Sequence, residues 1–230
     1  MKTVVVRNIN RTDAAVVKRL GALGTSTVHE AYGRVGLMKP YMRPVWTGAE
    51  AAGTAVTVLA QPGDNWMIHV AVEQCRPGDI LVVGCSTDNT DGMFGDLLAT
   101  SLMARGVKGL VIDAGCRDVK SLREMGFPVW SRAISSKGTV KATLGAVNVP
   151  VVCAGINVHP GDAVIADDDG VVVVARKEAN EVMIKGEKRQ ADEEGKRRQL
   201  AAGVLGLDMY GMREPLAKAG LVYIDEPESD

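Results

Sequence analysis

The alternation of hydrophobic and polar positions divides the chain into four stretches: a helical opening, a middle of interleaved strands and helices, a strand-only interval and a charged helical end. Thr12-Asp13 is placed to cap a helix over Ala14 to Leu23. Thr25-Ser26-Thr27 precedes a second helix that runs through Arg34 and stops at Gly36. Lys39 to Glu50, with Pro40, Pro44 and Gly48, is a connecting stretch. Gly53 to Ala60 then alternates β-branched and small residues, which predicts a strand. Asp79 to Gly84 and Gly109 to Asp113 are short apolar runs bounded by glycine. A polar loop and a helix-like segment come after each, which is the rhythm of βα units.

The pattern changes at Val147. Val147 to Cys153, Asp162 to Ala166 and Val171 to Val174 are close-set strands joined by Pro-Gly and Asp-Asp-Gly turns, with no room for a helix between them. Arg176 to about Leu200 is rich in Lys, Glu, Gln and Ala and is the best long-helix segment, interrupted at Gly186 and Gly195, with its charges on a solvated face. Asp208 to Tyr223 predicts a short helix around Arg213 to Ala219 and a last strand. No internal repeat or low-complexity segment is present.

Composition narrows the class. A 46% hydrophobic chain of 230 residues is globular and long enough for one sizeable core, and a single domain over 1–230 is expected. With 27 basic and 28 acidic residues the net charge is -1, so no chain-wide positive field favours nucleic acid. The four cysteines, Cys75, Cys85, Cys116 and Cys153, stand far apart with no CxxC pair, as reduced thiols of a cytoplasmic protein do. The first residues reach Arg7 too soon for a signal sequence, and no apolar run approaches roughly 18 residues, so no membrane contact is expected.

Three strand-to-helix loops carry the candidate chemistry. In Val111-Ile-Asp-Ala-Gly115-Cys116-Arg117-Asp118-Val119 an apolar strand ends in glycine and sets Arg117 and Asp118 side by side at a helix start. Ligands bind where strand ends and helix N-termini converge, but an aspartate there is also a favoured helix cap, and spacing alone does not separate the two readings. Asp91 to Leu98 leads into a helix from Ala99 to Arg105. Its glycines allow close approach to the main chain, and free N–H groups can hold a carboxylate. Equally, Asp96 fits as an early-turn acid that complements the helix dipole. Gln61-Pro-Gly-Asp-Asn65-Trp66 is the third loop and by itself signals a turn.

His29, His69 and His159 have no H-x-H or H-E-x-x-H spacing, so they read as individual surface or core residues and not as a zinc centre. The surplus of oxygen donors favours a hard cation, Mg²⁺ or Mn²⁺, held by carboxylate and water. Lys108 and Lys120 lie in polar company, which disfavours a Schiff-base lysine. The glycine-rich nucleotide, phosphate-loop and serine-hydrolase motifs are absent. Asp167-Asp168-Asp169-Gly170 lacks the spaced acids of a calcium loop and is read as a β-turn.

Taken together, Pro62 to Trp66, Phe94-Gly-Asp-Leu-Leu-Ala-Thr100, Asp113-Ala-Gly-Cys-Arg117-Asp118-Val119 and Gly206-Leu-Asp-Met-Tyr-Gly-Met-Arg-Glu-Pro215 resemble the pyruvate-releasing HMG/CHA aldolase family. This family cleaves 4-hydroxy-4-methyl-2-oxoglutarate and 4-carboxy-4-hydroxy-2-oxoadipate. The resemblance runs from about Asn8 to Asp225 and is shared in fold with the regulator of ribonuclease activity A; the segment with Asp208-Met209-Tyr210 points to the aldolase branch.

The resemblance implies an α/β protein of the swivelling β/β/α type, with a central β-sandwich-like core flanked by helices. Residues 175–230 would form a helical extension at the subunit interface of a trimer or a hexamer made of two trimers. It further implies that Asp118 is the protein ligand of Mg²⁺ or Mn²⁺ and that Gly95, Asp96, Leu97 and Leu98 hold the substrate carboxylate. Asn65 and Asp96 would lie near the metal waters and the substrate, Arg117 would stabilise the enolate, and Glu193 (or the adjacent Glu194) would come from a neighbouring subunit. The general base, a water ordered by Asp96 or Glu193, stays open. The implied partner is a small 2-oxo acid from aromatic-compound catabolism, with oxaloacetate decarboxylation as a side activity. The alternative is a non-catalytic regulator on the same scaffold.

Overall fold

The apolar runs at 51–60, 79–85 and 109–116 lie side by side as the parallel heart of one sheet, because each is buried on both faces. A computed structural model describes residues 3–225. The chain forms two compact units, Met1–Glu187 and Lys188–Asp230.

In chain order the elements are α1 (Ala14–Ala31), β1 (Arg43–Pro44), β2 (Ala51–Ala60), α2 (Trp66–Gln74), β3 (Asp79–Cys85), β4 (Gly92–Phe94), α3 (Asp96–Ala104), β5 (Gly109–Cys116), α4 (Val119–Glu124) and β6 (Val129–Ile134). They continue with β7 (Ala146–Val147), β8 (Val151–Cys153), β9 (Ile156–Val158), β10 (Ala163–Asp167), β11 (Gly170–Val174), α5 (Ala179–Ala201), α6 (Gly206–Met209) and α7 (Arg213–Lys218).

The main sheet has the order β1-β6-β5-β3-β2-β10-β11, with β4 added to β5 and β7 to β2. β2, β3, β5 and β6 are parallel, and the helices α2, α3 and α4 connect them. Leu37 bridges Val172, and Arg43–Pro44 pairs with β6, so the segment between them ties the two ends of the sheet together. One face packs on the three helices through Val56, Val58, Leu81, Ile112, Leu98, Leu102 and Leu122. Phe94 and Phe127 stack there at 5.9 Å, a pair worth about 1 kcal/mol beyond its buried area. The other face is filled by Val82, Val111 and Trp130 against the β8–β9 hairpin. Two packed layers of strands with helices outside make this the α/β, swivelling β/β/α architecture.

Local chemistry explains the departures from the sequence reading. α1 is two helical pieces joined at Gly24, whose φ of 76° breaks the ladder. The N-terminus of the second piece is capped from far away: the Asp167 carboxylate accepts from Thr25 N at 2.8 Å and from the Thr25 hydroxyl at 2.6 Å. The helix ends at Ala31, before the expected stop at Gly36, because the chain turns left-handed at Gly33. α5 runs unbroken through Gly186 and Gly195. Gly186 is there for closeness, since a Cβ at that position would lie 2.5 Å from Leu23. The expected last strand does not form among the described residues, where the chain after Gly220 is coil. No helix of the described residues is long and apolar enough to cross a membrane, and all four cysteines are free thiols.

Candidate active site

The C-terminal end of β5 is displaced from that of β6 by a register shift between Ile112 and Gly115, and beyond it β5 pairs with β4. Arg117 N donates to Phe94 O at 2.9 Å, which fixes the chain as it leaves the strand. The next residue, Asp118, opens α4 in the left-handed conformation (φ 58°, ψ 33°) and makes no side-chain cap hydrogen bond. Capping is thus not what holds the carboxylate. Its Oδ2 lies 3.5 Å from Arg117 Nε and accepts from Asp96 N at 3.3 Å. A left-handed non-glycine residue costs on the order of 1 kcal/mol, less for aspartate than for most residues, and such strain concentrates at functional sites.

Gly95 stands directly over this pair. A Cβ there would overlap Asp118 Oδ2 and come within 3.1 Å of the Arg117 side chain. Glycine is required by the close approach alone, since Gly95 itself is extended (φ -155°). α3 starts at the next residue, and the first N–H groups of a helix have no intrahelical acceptor. Asp96 N, the first of them, donates to Asp118 Oδ2, and Leu97 and Leu98 line one small cavity of about 100 Å³ together with Arg117 and Asp118.

Asn65, Gly95, Asp96, Leu97, Leu98, Arg117 and Asp118 all line that cavity, so seven of the eight expected site residues come together. Asn65 is 8% exposed; its Nδ2 donates to Met93 O at 3.0 Å, while its Oδ1 is buried with no protein partner. The eighth, Glu193, lies on the part of α5 that belongs to the second unit and pairs with Arg189 at 2.8 Å, and the neighbouring Glu194 pairs with Arg197 at 2.6 Å.

Sequence reasoning passed over three contributors. His69, which reads as an individual residue, lines the cavity from the second turn of α2, and Lys141 lines it from the loop before β7. Partial desolvation, and then the Lys141 charge, push the His69 imidazole below its ordinary value. Asp64 is 3% exposed and organises the cavity wall by accepting from Trp66 N at 2.9 Å and from Ala142 N and Thr143 N at 2.7 Å each. Burial alone would raise its carboxyl, but these backbone donors outweigh burial and hold it low. The available signal was the Asp-Asn pair after a glycine; its partners lie 78 and 79 residues away and leave no local pattern.

Cys116, next to Arg117, is not a nucleophile: burial, with the Asp118 charge second, pushes its thiol up to about 12. Larger surface clefts of about 490 and 650 Å³ lie elsewhere. The aspartates among their walls are held by backbone donors, Asp167 at Thr25 N and Asp162 at His159 N and Arg176 N. Asp168 and Asp169 beside them are spent on Gly48 N and the Ser26 hydroxyl, so the acidic turn holds loops together instead of a cation.

The donor set fits a hard divalent cation with one protein ligand. Among the described residues no group of three or more His, Cys, Asp or Glu side chains converges, which is unlike a closed zinc centre. Asp118 does not cap its own helix and keeps Oδ1 without a protein donor among the described residues, and the buried Asn65 Oδ1 offers a polar atom to a hydrated ion, as suits Mg²⁺, which keeps most of its waters.

Relatives share this framework. A protein of Halalkalibacterium halodurans, provisionally named 4-hydroxy-4-methyl-2-oxoglutarate aldolase, is 26% identical over 88% of this chain and 96% of its own length. One of the same provisional name from Burkholderia multivorans is 32% identical over 63% of this chain and 88% of its own. The crystal structure of Streptomyces coelicolor RraAS2, described as an unusual member of the RNase ES inhibitor RraA family, superposes with a TM-score of 0.73 at 28% identity, covering 83% of this chain and 99% of that one. The family model RraA-like, Aldolase/RraA, matches residues 25–173, which span the whole cavity, so the chain belongs to that family.

Proposed function

We propose that this protein is a divalent-metal-dependent aldolase that cleaves a 4-hydroxy-2-oxo diacid and releases pyruvate. The observation that carries the reading is the Asp118 carboxylate, left-handed, uncapping and turned toward Arg117 and the start of α3. The provisional aldolase names of the relatives agree with it. The substrates are 4-hydroxy-4-methyl-2-oxoglutarate, 4-carboxy-4-hydroxy-2-oxoadipate or both, and oxaloacetate decarboxylation, which passes through the same enolate, is a side activity.

Asp118 would hold Mg²⁺ or Mn²⁺, which supplies Lewis-acid polarisation of the C2 carbonyl when bound. The N–H groups of Leu97 and Leu98 at the start of α3 hold the adjacent carboxylate, with Gly95 leaving the approach open. Arg117 lies beside that position with only Asp118 as an ion-pair partner among the described residues, so its fork can meet the oxyanion that grows as the C3–C4 bond breaks. The C4 hydroxyl proton leaves to a water ordered by Asp96 or Glu193, and C3 of the enolate takes a proton to give pyruvate. Lys141 and His69 line the same cavity and would meet the far carboxylate of a diacid.

Glu193 would reach the site from a neighbouring copy in a trimer or hexamer. Exposed apolar side chains support such an assembly: among residues 188–225 none is buried, yet Val222, Tyr223 and Ile224 are 75%, 73% and 66% exposed. The assembly would work in the cytoplasm on a small 2-oxo acid.

The test is pyruvate release from both diacids with Mg²⁺, with EDTA and with Asp118→Asn. Activity with Mg²⁺ alone supports the reading, and equal activity in all three conditions overturns the metal mechanism. No release from any 2-oxo acid would favour a non-catalytic regulator of the RNase inhibitor type, as the likeness to RraAS2 allows.

A further inference from the structure

Asp113, Arg132 and Tyr41 form a charge network on the face of the sheet opposite the helices, and it takes part in no step of the proposed reaction. Between the pairs Ile112↔Ser131 and Gly115↔Ala133, β5 spends two residues, Asp113 and Ala114, where β6 spends only Arg132. This is a β-bulge, a device that re-aims the residues on its C-terminal side. Arg117 and Asp118 lie on that side.

We propose that Asp113, Arg132 and Tyr41 act as a positioning clamp that holds the bulge and thereby sets where Arg117 and Asp118 stand. Asp113 is fixed from three directions. Its Oδ1 accepts from Arg132 Nε at 2.8 Å and from the Tyr41 hydroxyl at 3.0 Å, and its Oδ2 accepts from Ala154 N at 2.8 Å. Arg132 Nη2 also donates to Tyr41 Oη at 3.0 Å and to Asp88 Oδ1 at 2.9 Å, and the guanidinium lies 4.6 Å over the Tyr41 ring. One planar fork thus ties β6, the bulge of β5 and the loop that leads from β3 to β4. These are the segments whose ends build the site, and β4 carries the Phe94 carbonyl that receives Arg117 N.

The network is built to stay in one protonation state. Burial, with Asp113 second, pushes the Tyr41 hydroxyl up to about 12, so it remains a donor. Hydrogen bonding to Asp113 holds the Arg132 guanidinium charged against its burial. Lysine could keep the charge but not the fork.

The inference rests on the proposed aldolase reading for its kinetic arm only. Arg132→Lys and Tyr41→Phe are compared with wild type in two measurements: steady-state pyruvate release with Mg²⁺, and crystal structures. The expected result is a fall in kcat of about 10-fold to 100-fold with KM changed by less than about threefold. In the structures, Asp118 should leave its left-handed conformation or move away from Asp96 N. A purely structural role would lower the melting temperature and leave kcat of the folded enzyme and the Asp118 geometry unchanged, and that outcome overturns the clamp. If wild type releases no pyruvate, the aldolase reading fails, and the position of Asp118 in the variant structures alone decides the clamp.

Discussion

Two helix starts in this chain carry an aspartate at the same position and use it in opposite ways. At the start of α1, Asp13 is extended (φ -56°, ψ 133°), and its Oδ1 accepts from Ala15 N at 2.8 Å and Val16 N at 3.2 Å. At the start of α4, Asp118 is left-handed and leaves its own helix uncapped. The first arrangement is what helix-end chemistry favours. The second gives up a cap and accepts backbone strain, and it brings a carboxylate beside a guanidinium on the wall of a cavity. A residue that breaks the local rule where its sequence twin obeys it marks the place where the fold serves chemistry and not itself.

The sharpest way to break the comparison is to remove the charge at 118 and keep its conformation. Asparagine tolerates the left-handed region, so Asp118→Asn should lower pyruvate release roughly 1000-fold while the urea midpoint stays near that of wild type. A large loss of stability instead would mean the carboxylate is structural after all. Next in size is Gly95→Ala, whose Cβ would press on Asp118 Oδ2 and the Arg117 side chain. A displacement of about 1 Å there should cost on the order of 100-fold in kcat, and native kinetics would show that the pair has room to yield.

The reverse outcome is expected at the other helix. Asp13→Ala should lower unfolding stability by about 1 kcal/mol and leave kcat and KM unchanged; a drop in kcat would erase the distinction. The smallest effect concerns Asp64, which anchors the loop at 142–143 through backbone N–H groups. Its folded pKa is depressed, so its contribution is present above the ordinary carboxylate pKa and is lost as pH falls through the lower folded value. Asp64→Asn should therefore flatten the fall in stability below about pH 4, read as the urea midpoint across that range, and an unchanged acid limb would remove Asp64 from the support of the site.

Much of the site was legible because it lies on strand-to-helix loops, where glycine, asparagine and aspartate stand out against apolar runs. The runs at Asp79 to Gly84 and Gly109 to Asp113 gave β3 and the body of β5, and the loops after them hold Gly95, Asp96, Arg117 and Asp118. Those are local signals, fixed by which residues can be buried and which can turn. His69 and Lys141 were not legible, since they reach the cavity from α2 and from the loop before β7 only once the sheet has formed. The same holds for the cap at Thr25, whose acceptor is Asp167, 142 residues on.

Periodicity, glycine placement and motif order are properties of neighbours along the chain, and they were enough for the long helices and central strands, the family and seven residues that line the cavity. Whether Asp118 caps or faces the cavity was decided only in three dimensions. That choice depends on a bulge in β5, on β4 pairing past it and on Gly95 leaving space for the carboxylate, contacts between segments that no local pattern records.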